Sequence, residues 1–189
     1  MLAYVNGEFA PIEEASISIW DRGFTIGEGV FEAWRTYGGR PVADIQERHL
    51  ARLTRSLRFI EFDPDEVIDT VRSVWSDVVE RNHDEILAAG DVWVITIVTG
   101  GTGDEGADRG QPTLVVAPKG IPFGKGLWAG AELFTKGAHL IPSLMTRNPF
   151  LPSDPRVKSI SRMSNTRNER KQVRARIERL LGHIDQLGA

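Results

Sequence analysis

The chain has 189 residues, 41% of them hydrophobic, and a formal net charge of −3, so it can bury a sizeable core and has no basic excess that would indicate nucleic acid or an anionic membrane surface as a partner. The absence of cysteine excludes disulfides and thiolate catalysis. No apolar run of about 18 residues predicts a membrane-spanning helix, and the N-terminal stretch lacks the features of a signal peptide, so we expect a cytoplasmic protein.

The first part of the chain is predicted to contain several short strands. Asn6-Gly7 lies between two apolar runs, which is the strongest short-range signal of a β-hairpin, and Gly38-Gly39 predicts a second tight turn. Period-two alternation or a continuous apolar run predicts strands at residues 15–20, 91–100 and 112–119.

Two amphipathic helices are predicted between these strands. Apolar residues recur at three- and four-residue spacing in residues 44–60 and 64–82, and Pro64 suits the first turn of the second helix. Because hairpins join the strands, the sheet should be mostly antiparallel with both helices on one face. The predicted fold class is therefore α+β, with a two-layer sandwich over residues 1–119.

Residues 120–125 are predicted to be a linker to a second domain, residues 126–189. That part contains a strand-like stretch at 131–135 and a basic amphipathic helix from about 165 to 187. Because so short a segment is small for an independent core, we expect it to be the beginning of an incomplete α/β domain.

Three patterns that often mark binding sites are better explained as ordinary structure. GTGDEG, residues 101–106, matches a dinucleotide fingerprint, but more loop and another strand follow it where a helix is required, so a hairpin loop is favoured. The basic run at 167–179 is interrupted by acids and favours a solvated helix face over a nucleic-acid site. The four histidines lack ligand spacing, so no metal site is predicted; they are His49, His83, His139 and His183.

Two cationic residues have contexts suited to chemistry. Lys158 lies in an alternating, strand-like segment between Val157 and Ile160, where partial desolvation would favour the neutral, nucleophilic amine. Arg52 lies beside the apolar stripe of the first helix, and a guanidinium there suits a phosphate because of its forked donors and fixed charge. Taken singly, each residue is more often an ordinary surface charge.

Four segments together resemble a known family. They are YVNGEFAPIEEASISIWDRGFTIGEGVFEAWRTYGGRP (4–41), HLARLTRSL (49–57), VTGG (98–101) and RNPFLPSDPRVKSISRMSN (147–165). In this order they resemble the class IV, or fold-type IV, aminotransferases that use pyridoxal 5'-phosphate, which include branched-chain and D-amino-acid aminotransferases and aminodeoxychorismate lyase.

The resemblance implies roles for four residues. Lys158 corresponds to the catalytic lysine that binds the cofactor covalently and moves the substrate proton. Arg52 corresponds to the arginine that holds the cofactor phosphate. Phe31 corresponds to a residue that lines the substrate pocket, and Arg35, on the same strand, is a second candidate for substrate binding. The implied partners are an α-amino acid, a 2-oxo acid and a second copy of the chain in a homodimer.

Departures from the family pattern leave the reaction open. Ile26 stands where many members have tyrosine, Ile95 where branched-chain enzymes often have arginine, and Thr99-Gly100-Gly101 where D-amino-acid enzymes have an arginine between threonine and glycine. The family's acidic partner for the cofactor ring would lie beyond Ala189, so we expect weak cofactor binding by this chain. An apolar amino donor is favoured; the alternatives are an aminodeoxychorismate lyase or an inactive fragment that acts only as a dimerising module.

Overall fold

Five strands form one sheet in which every neighbouring pair runs antiparallel, in the order β2-β1-β5-β4-β3. The structure is a computed structural model that describes residues 1–103, 110–121, 154 and 156–162. The strands are β1 Leu2–Val5, β2 Glu8–Pro11, β3 Gly29–Arg35, β4 Val92–Thr99 and β5 Thr113–Gly120. The helices are α1 Arg22–Thr25, α2 Ala43–Phe59, α3 Asp65–Arg81 and α4 His83–Ala89.

Turn chemistry explains the first hairpin. Asn6 and Gly7 both have positive φ, 48° and 106°, as the tight turns that match strand twist require. The Asn6 side chain also accepts a hydrogen bond from the backbone N of Leu114 at 2.7 Å. The hairpin predicted at Asn6-Gly7 is confirmed, and it is tied to the central strand β5.

The helices pack on one face of the sheet. Alternate residues of β3 and β4 meet the apolar stripes of α2 and α3, so the predicted two-layer arrangement and the antiparallel sheet are confirmed. The ring of Trp34 of β3 packs at a tilt against Trp75 of α3, with ring centroids 5.4 Å apart. The core also contains Val30, Leu50, Leu53, Leu57, Val71, Val78, Val94 and Val98.

The strand predicted at residues 15–20 is wrong. No residue of this stretch belongs to a strand; Ile19 is exposed. The backbone N of Trp20 donates to the Ser18 side chain at 3.1 Å, and the backbone N of Asp21 donates to the Ser18 carbonyl at 3.1 Å. Ser18 thus turns the chain by accepting local hydrogen bonds, and such bonds compete with strand pairing. A period-two pattern of side chains does not reveal them.

A short segment of the chain joins the free edge of β3. Ser159 forms an isolated antiparallel bridge with Val30, the backbone N of Phe31 donates to the Lys158 carbonyl at 2.9 Å, and the backbone N of Ile160 donates to the Gly29 carbonyl at 3.1 Å. Residues 156–161 belong to the same compact unit as the sheet. The predicted strand around Lys158 is therefore reduced to a single bridge, but its position against the sheet is well defined.

Several predictions lie outside the described residues. These are the strand at 131–135, the helix at 165–187 and most of the 120–125 linker, so the domain limits at 119 and 126 stay predictions. None of the helices in the described part of the chain combines the length and the apolar character needed to cross a bilayer.

Candidate functional site

Strand alternation places a carboxylate inside the core. Val30, Glu32 and Trp34 point to the helix-covered face of β3, and Glu32 has 0% of its surface exposed. A carboxylate in such a position must be paired, because burying an isolated charge costs more free energy than the net stability of a typical fold.

Helix α2 supplies two of the partners. His49 and Arg52, one helical turn apart, both face Glu32: Arg52 binds Glu32 through Nε and, at 2.7 Å, through Nη2, and His49 Nδ1 lies 2.7 Å from Oε2. Burial alone would raise the pKa of Glu32, but the hydrogen bonds from Arg52 and His49, together with the charge of Lys158, outweigh it and lower the pKa to about 2. Glu32 is therefore ionised at neutral pH, and His49 Nδ1 is the donor.

Lys158 reaches the same carboxylate from the sheet edge. Its Nζ lies 3.6 Å from Glu32 Oε2 and 4.7 Å from the centre of the Phe31 ring, and 27% of its side chain is exposed. Its backbone N donates to the buried Ser56 hydroxyl at 3.3 Å, and its carbonyl accepts from Phe31. The backbone that carries the amine is thus bonded to both β3 and α2.

Close approach of this segment depends on a glycine in β3. A Cβ at Gly29 would lie 2.7 Å from the Val98 carbonyl oxygen and 2.9 Å from Ile160 Cδ1, both closer than Cβ atoms come to other groups. Gly29 therefore allows the lysine segment and β4 to flank β3 at the same point.

A second buried carboxylate orders the loop before β3. Asp21 accepts hydrogen bonds from the backbone N of Gly23 at 2.7 Å and from the Thr99 hydroxyl at 2.9 Å. Arg22 pairs with Glu28 beside Gly100. These bonds join the glycine-rich loop to the end of β4, which fixes how the chain enters β3.

The donor set fits an anion that also carries a reactive carbonyl group. Arg52 and Lys158 are two cations that meet at one buried carboxylate, and a guanidinium beside an ammonium group suits an anion such as a phosphate. The Arg52 side chain is 39% exposed and the Lys158 side chain 27% exposed, so a ligand can approach both from solvent. These residues fit pyridoxal 5'-phosphate, which needs an amine and a phosphate-binding group.

Three of the four predicted site residues lie together. Lys158, Arg52 and Phe31 surround Glu32 or contact one another. Arg35 lies at the other end of β3, where Nη2 binds Asp91 at 3.1 Å and the guanidinium stacks 4.5 Å from the Tyr37 ring centre. The structure does not bring Arg35 to the cluster, and its role in substrate binding stays a prediction.

Sequence reasoning missed Glu32, His49 and Ser56 as members of the site. The alternation of Val30, Glu32 and Trp34 was the available signal for Glu32, because a carboxylate in the apolar register of a strand requires a cationic partner. The three-residue spacing of His49 and Arg52 on one helix face was a weaker signal for His49. No local pattern distinguishes Ser56 from other helical serines.

Known proteins share this sequence pattern. The family model described as Amino-transferase class IV matches residues 29–186. A protein of Methanocaldococcus jannaschii, provisionally named branched-chain-amino-acid aminotransferase, is 28% identical over 172 residues, which are 87% of this chain and 53% of that protein. The chain thus spans about half the length of this relative.

Two solved structures share the fold. The 4-amino-4-deoxychorismate lyase of Pseudomonas aeruginosa is 23% identical with a TM-score of 0.61, covering 89% of this chain and 56% of that one. A hypothetical aminotransferase of Mycobacterium tuberculosis, solved with pyridoxal 5'-phosphate bound, is 25% identical with a TM-score of 0.50, covering 65% of this chain and 40% of that one.

Proposed function

Because the chain belongs to the class IV aminotransferases, we propose that it uses pyridoxal 5'-phosphate to transfer the amino group of an α-amino acid to a 2-oxo acid. The observation that carries the proposal is that the Lys158 amine and the Arg52 guanidinium contact one buried carboxylate oxygen, Glu32 Oε2. An amine and a phosphate-binding group are thereby held at one point.

Each residue then has a distinct task. The cofactor, when bound, supplies an electron sink for the amino acid carbanion. Arg52 binds its phosphate, and Lys158 Nζ holds it covalently and later takes and returns the proton at the substrate α-carbon. The Phe31 ring, 4.7 Å from Nζ, lines the substrate side of the amine and excludes water from it.

The surroundings of Phe31 support an apolar amino donor. Phe31 pairs with Ile97 of β4, and Ile97 pairs with Val115 of β5, so these three side chains lie on the sheet face opposite Glu32. An apolar face next to the amine accommodates a branched-chain side chain better than a charged one. A D-amino acid is disfavoured because Gly100 carries no carboxylate-binding side chain, and Arg22 and Glu28 occupy the space beside it.

The second candidate is an aminodeoxychorismate lyase. The Pseudomonas aeruginosa lyase shares the fold, and the same early motifs occur in that branch of the family. A lyase would release pyruvate from its substrate and would leave 2-oxoglutarate unaminated, so the two reactions give different products.

A direct assay tests the proposal. Because weak cofactor binding is expected, the purified protein is incubated with a large excess of pyridoxal 5'-phosphate, and the proposal predicts the shift in visible absorption that follows covalent attachment to a lysine. Leucine, isoleucine, valine, D-alanine and aminodeoxychorismate are then offered with 2-oxoglutarate, and we expect glutamate from the branched-chain donors. Pyruvate from aminodeoxychorismate alone would favour the lyase, and no absorption change would leave the dimerising module as the better explanation.

The proposal includes a homodimer. Five apolar side chains between residues 17 and 26 are exposed, among them Trp20 at 70% and Phe24 at 72%. Exposed apolar side chains this close together along the chain support a second copy of the chain as their partner. The cytoplasmic location stays a prediction.

The dimer has its own test. We expect sedimentation to give a dimer for the wild-type protein and mostly monomer for a Trp20→Glu, Phe24→Glu double variant, because the charges oppose burial of that surface. Leu87→Glu, on the exposed side of α4, is the matched control and should remain dimeric. A wild-type protein that sediments as a monomer at all concentrations would refute the homodimer.

A further inference from the structure

Glu32 is a buried carboxylate to which the proposed chemistry assigns no role. It lies on the helix-covered face of β3, and its Oε2 faces donors from two separate parts of the chain, helix α2 and residues 156–162. Building on the proposed function, we propose that Glu32 is the positioning residue for the Lys158 amine, which it holds beside Arg52 at the free edge of β3.

Helix α2 fixes the carboxylate itself. Arg52 binds both oxygens, through Nε and Nη2, which prevents rotation of the carboxylate plane. His49 donates from Nδ1 to Oε2 at 2.7 Å, so the 3.2 Å approach of Arg52 Nη2 to His49 Nδ1 brings two donors together and is not a hydrogen bond. Because Arg52 and His49 of one helix both hold the carboxylate, Glu32 is a rigid acceptor.

The amine is held less tightly than the other two donors. Lys158 Nζ lies 3.6 Å from Oε2, beyond ordinary hydrogen-bond length, while Arg52 Nη2 and His49 Nδ1 both lie 2.7 Å from the same oxygen. Attraction to the carboxylate therefore aims the amine without locking it. Such a contact suits a lysine that must leave the carboxylate to bind a cofactor and return to it afterwards.

No other charged group faces Glu32 within the described residues. Its partner across the sheet is Thr96 of β4, whose hydroxyl accepts from Trp75 Nε1 at 2.6 Å. The charged or titratable groups around it are Arg52 and His49 from α2 and Lys158 from the edge segment. Removing the carboxylate would take away the one acceptor that Arg52, His49 and Lys158 share.

This arrangement predicts the behaviour of Glu32→Gln. An amide of the same shape keeps the packing but loses the charge, so we expect the pKa of the Lys158 amine to fall by about 1 unit. The kcat should fall by about 10- to 100-fold because the amine is no longer aimed. The KM for the amino donor should change by less than about 2-fold, because a fully buried side chain does not touch the substrate.

The pKa is measured directly in protein without cofactor. The sequence contains five lysines, so reductive ¹³C-methylation gives few NMR signals, and the signal missing from Lys158→Arg identifies Lys158. Glu32→Asp, which keeps the charge, should shift the titration midpoint of Lys158 by less than Glu32→Gln does. Ser56→Ala, which removes only a backbone tether of Lys158, should leave the midpoint unchanged. An unchanged midpoint in Glu32→Gln overturns the proposal even if kcat falls.

A reciprocal measurement covers the case in which Glu32→Gln does not fold. Lys158 helps to lower the pKa of Glu32, so Lys158→Met should raise it. The unfolding free energies of wild type and Lys158→Met should then converge as the pH falls from about 4.5 towards about 2, whereas a constant difference overturns the proposal.

The two proposals fail in different ways. Titration of the cofactor-free protein reports only on the contact between Glu32 and Lys158. Absence of cofactor attachment and of amino-group transfer in the wild-type protein would refute the proposed function and leave the titration result standing.

Discussion

Lys158→Ala is expected to lower kcat for amino-group transfer by at least about 1,000-fold, because it removes both the covalent attachment point and the base at the substrate α-carbon. The visible absorption change on adding cofactor should also disappear. Both are measured on purified protein, with circular dichroism confirming that the variant is folded.

Lys119→Ala is the matched control. Lys119 is exposed on β5, away from Glu32 and Phe31, and its removal should leave kcat and the absorption change intact. If Lys158→Ala kept more than about one tenth of the wild-type kcat, the assignment of the reactive amine to Lys158 would be wrong.

The second large effect concerns Arg52. Arg52→Leu removes the main partner of a fully buried carboxylate, so we expect the free energy of unfolding at pH 7 to fall by about 3 kcal/mol. We also expect cofactor binding to weaken by about 10- to 100-fold, since a charge-assisted phosphate contact is lost. Denaturant unfolding and spectroscopic titration with cofactor measure the two effects.

A second arginine on the neighbouring helix provides the control. Arg72 of α3 pairs with Glu47 of α2, but 53% and 59% of these side chains are exposed. Arg72→Leu removes a solvated ion pair, so it should change the free energy of unfolding by less than about 1 kcal/mol. Equal losses in the two variants would show that Glu32 is not the reason for the effect.

The effect of Arg52→Leu should depend on pH with a definite sign. The folded-state pKa of Glu32 is lowered to about 2 from an ordinary value of 4.5, so the stability it contributes is fully present above about pH 4.5 and is lost as the pH falls towards 2. Loss of Arg52 raises the pKa of Glu32. The difference between the two proteins should therefore shrink in this interval, and a difference that is constant with pH would point to lost packing instead.

Most of the fold could be predicted because its signals are local. Asn6-Gly7 supplies the two positive φ angles of a tight hairpin turn, and the apolar spacing of residues 44–60 and 64–82 predicts α2 and α3 within two residues at each end. The seven-residue α4 carries too short a pattern to be predicted. Residues 15–20 were misassigned because alternation records side-chain polarity and not the presence of a pairing strand.

The site was predictable only in part, because its contacts join distant parts of the chain. A family resemblance predicted roles for Lys158 and Arg52, which the structure brings together. The carboxylate between them was not predicted: Glu32 meets Arg52 20 positions later along the chain. Which strand face is covered, and by which helix, depends on tertiary packing that neither residue's own neighbourhood encodes.

The separation of Lys158 from its partners along the chain also determines when in folding these contacts form. The backbone of Lys158 binds Ser56, 102 positions earlier, and also Phe31 of β3. Closing so long a loop loses chain entropy that only contacts with a finished sheet edge and helix can offset. A newly made chain therefore carries an ordinary, solvated lysine at this position until β3 and α2 have formed.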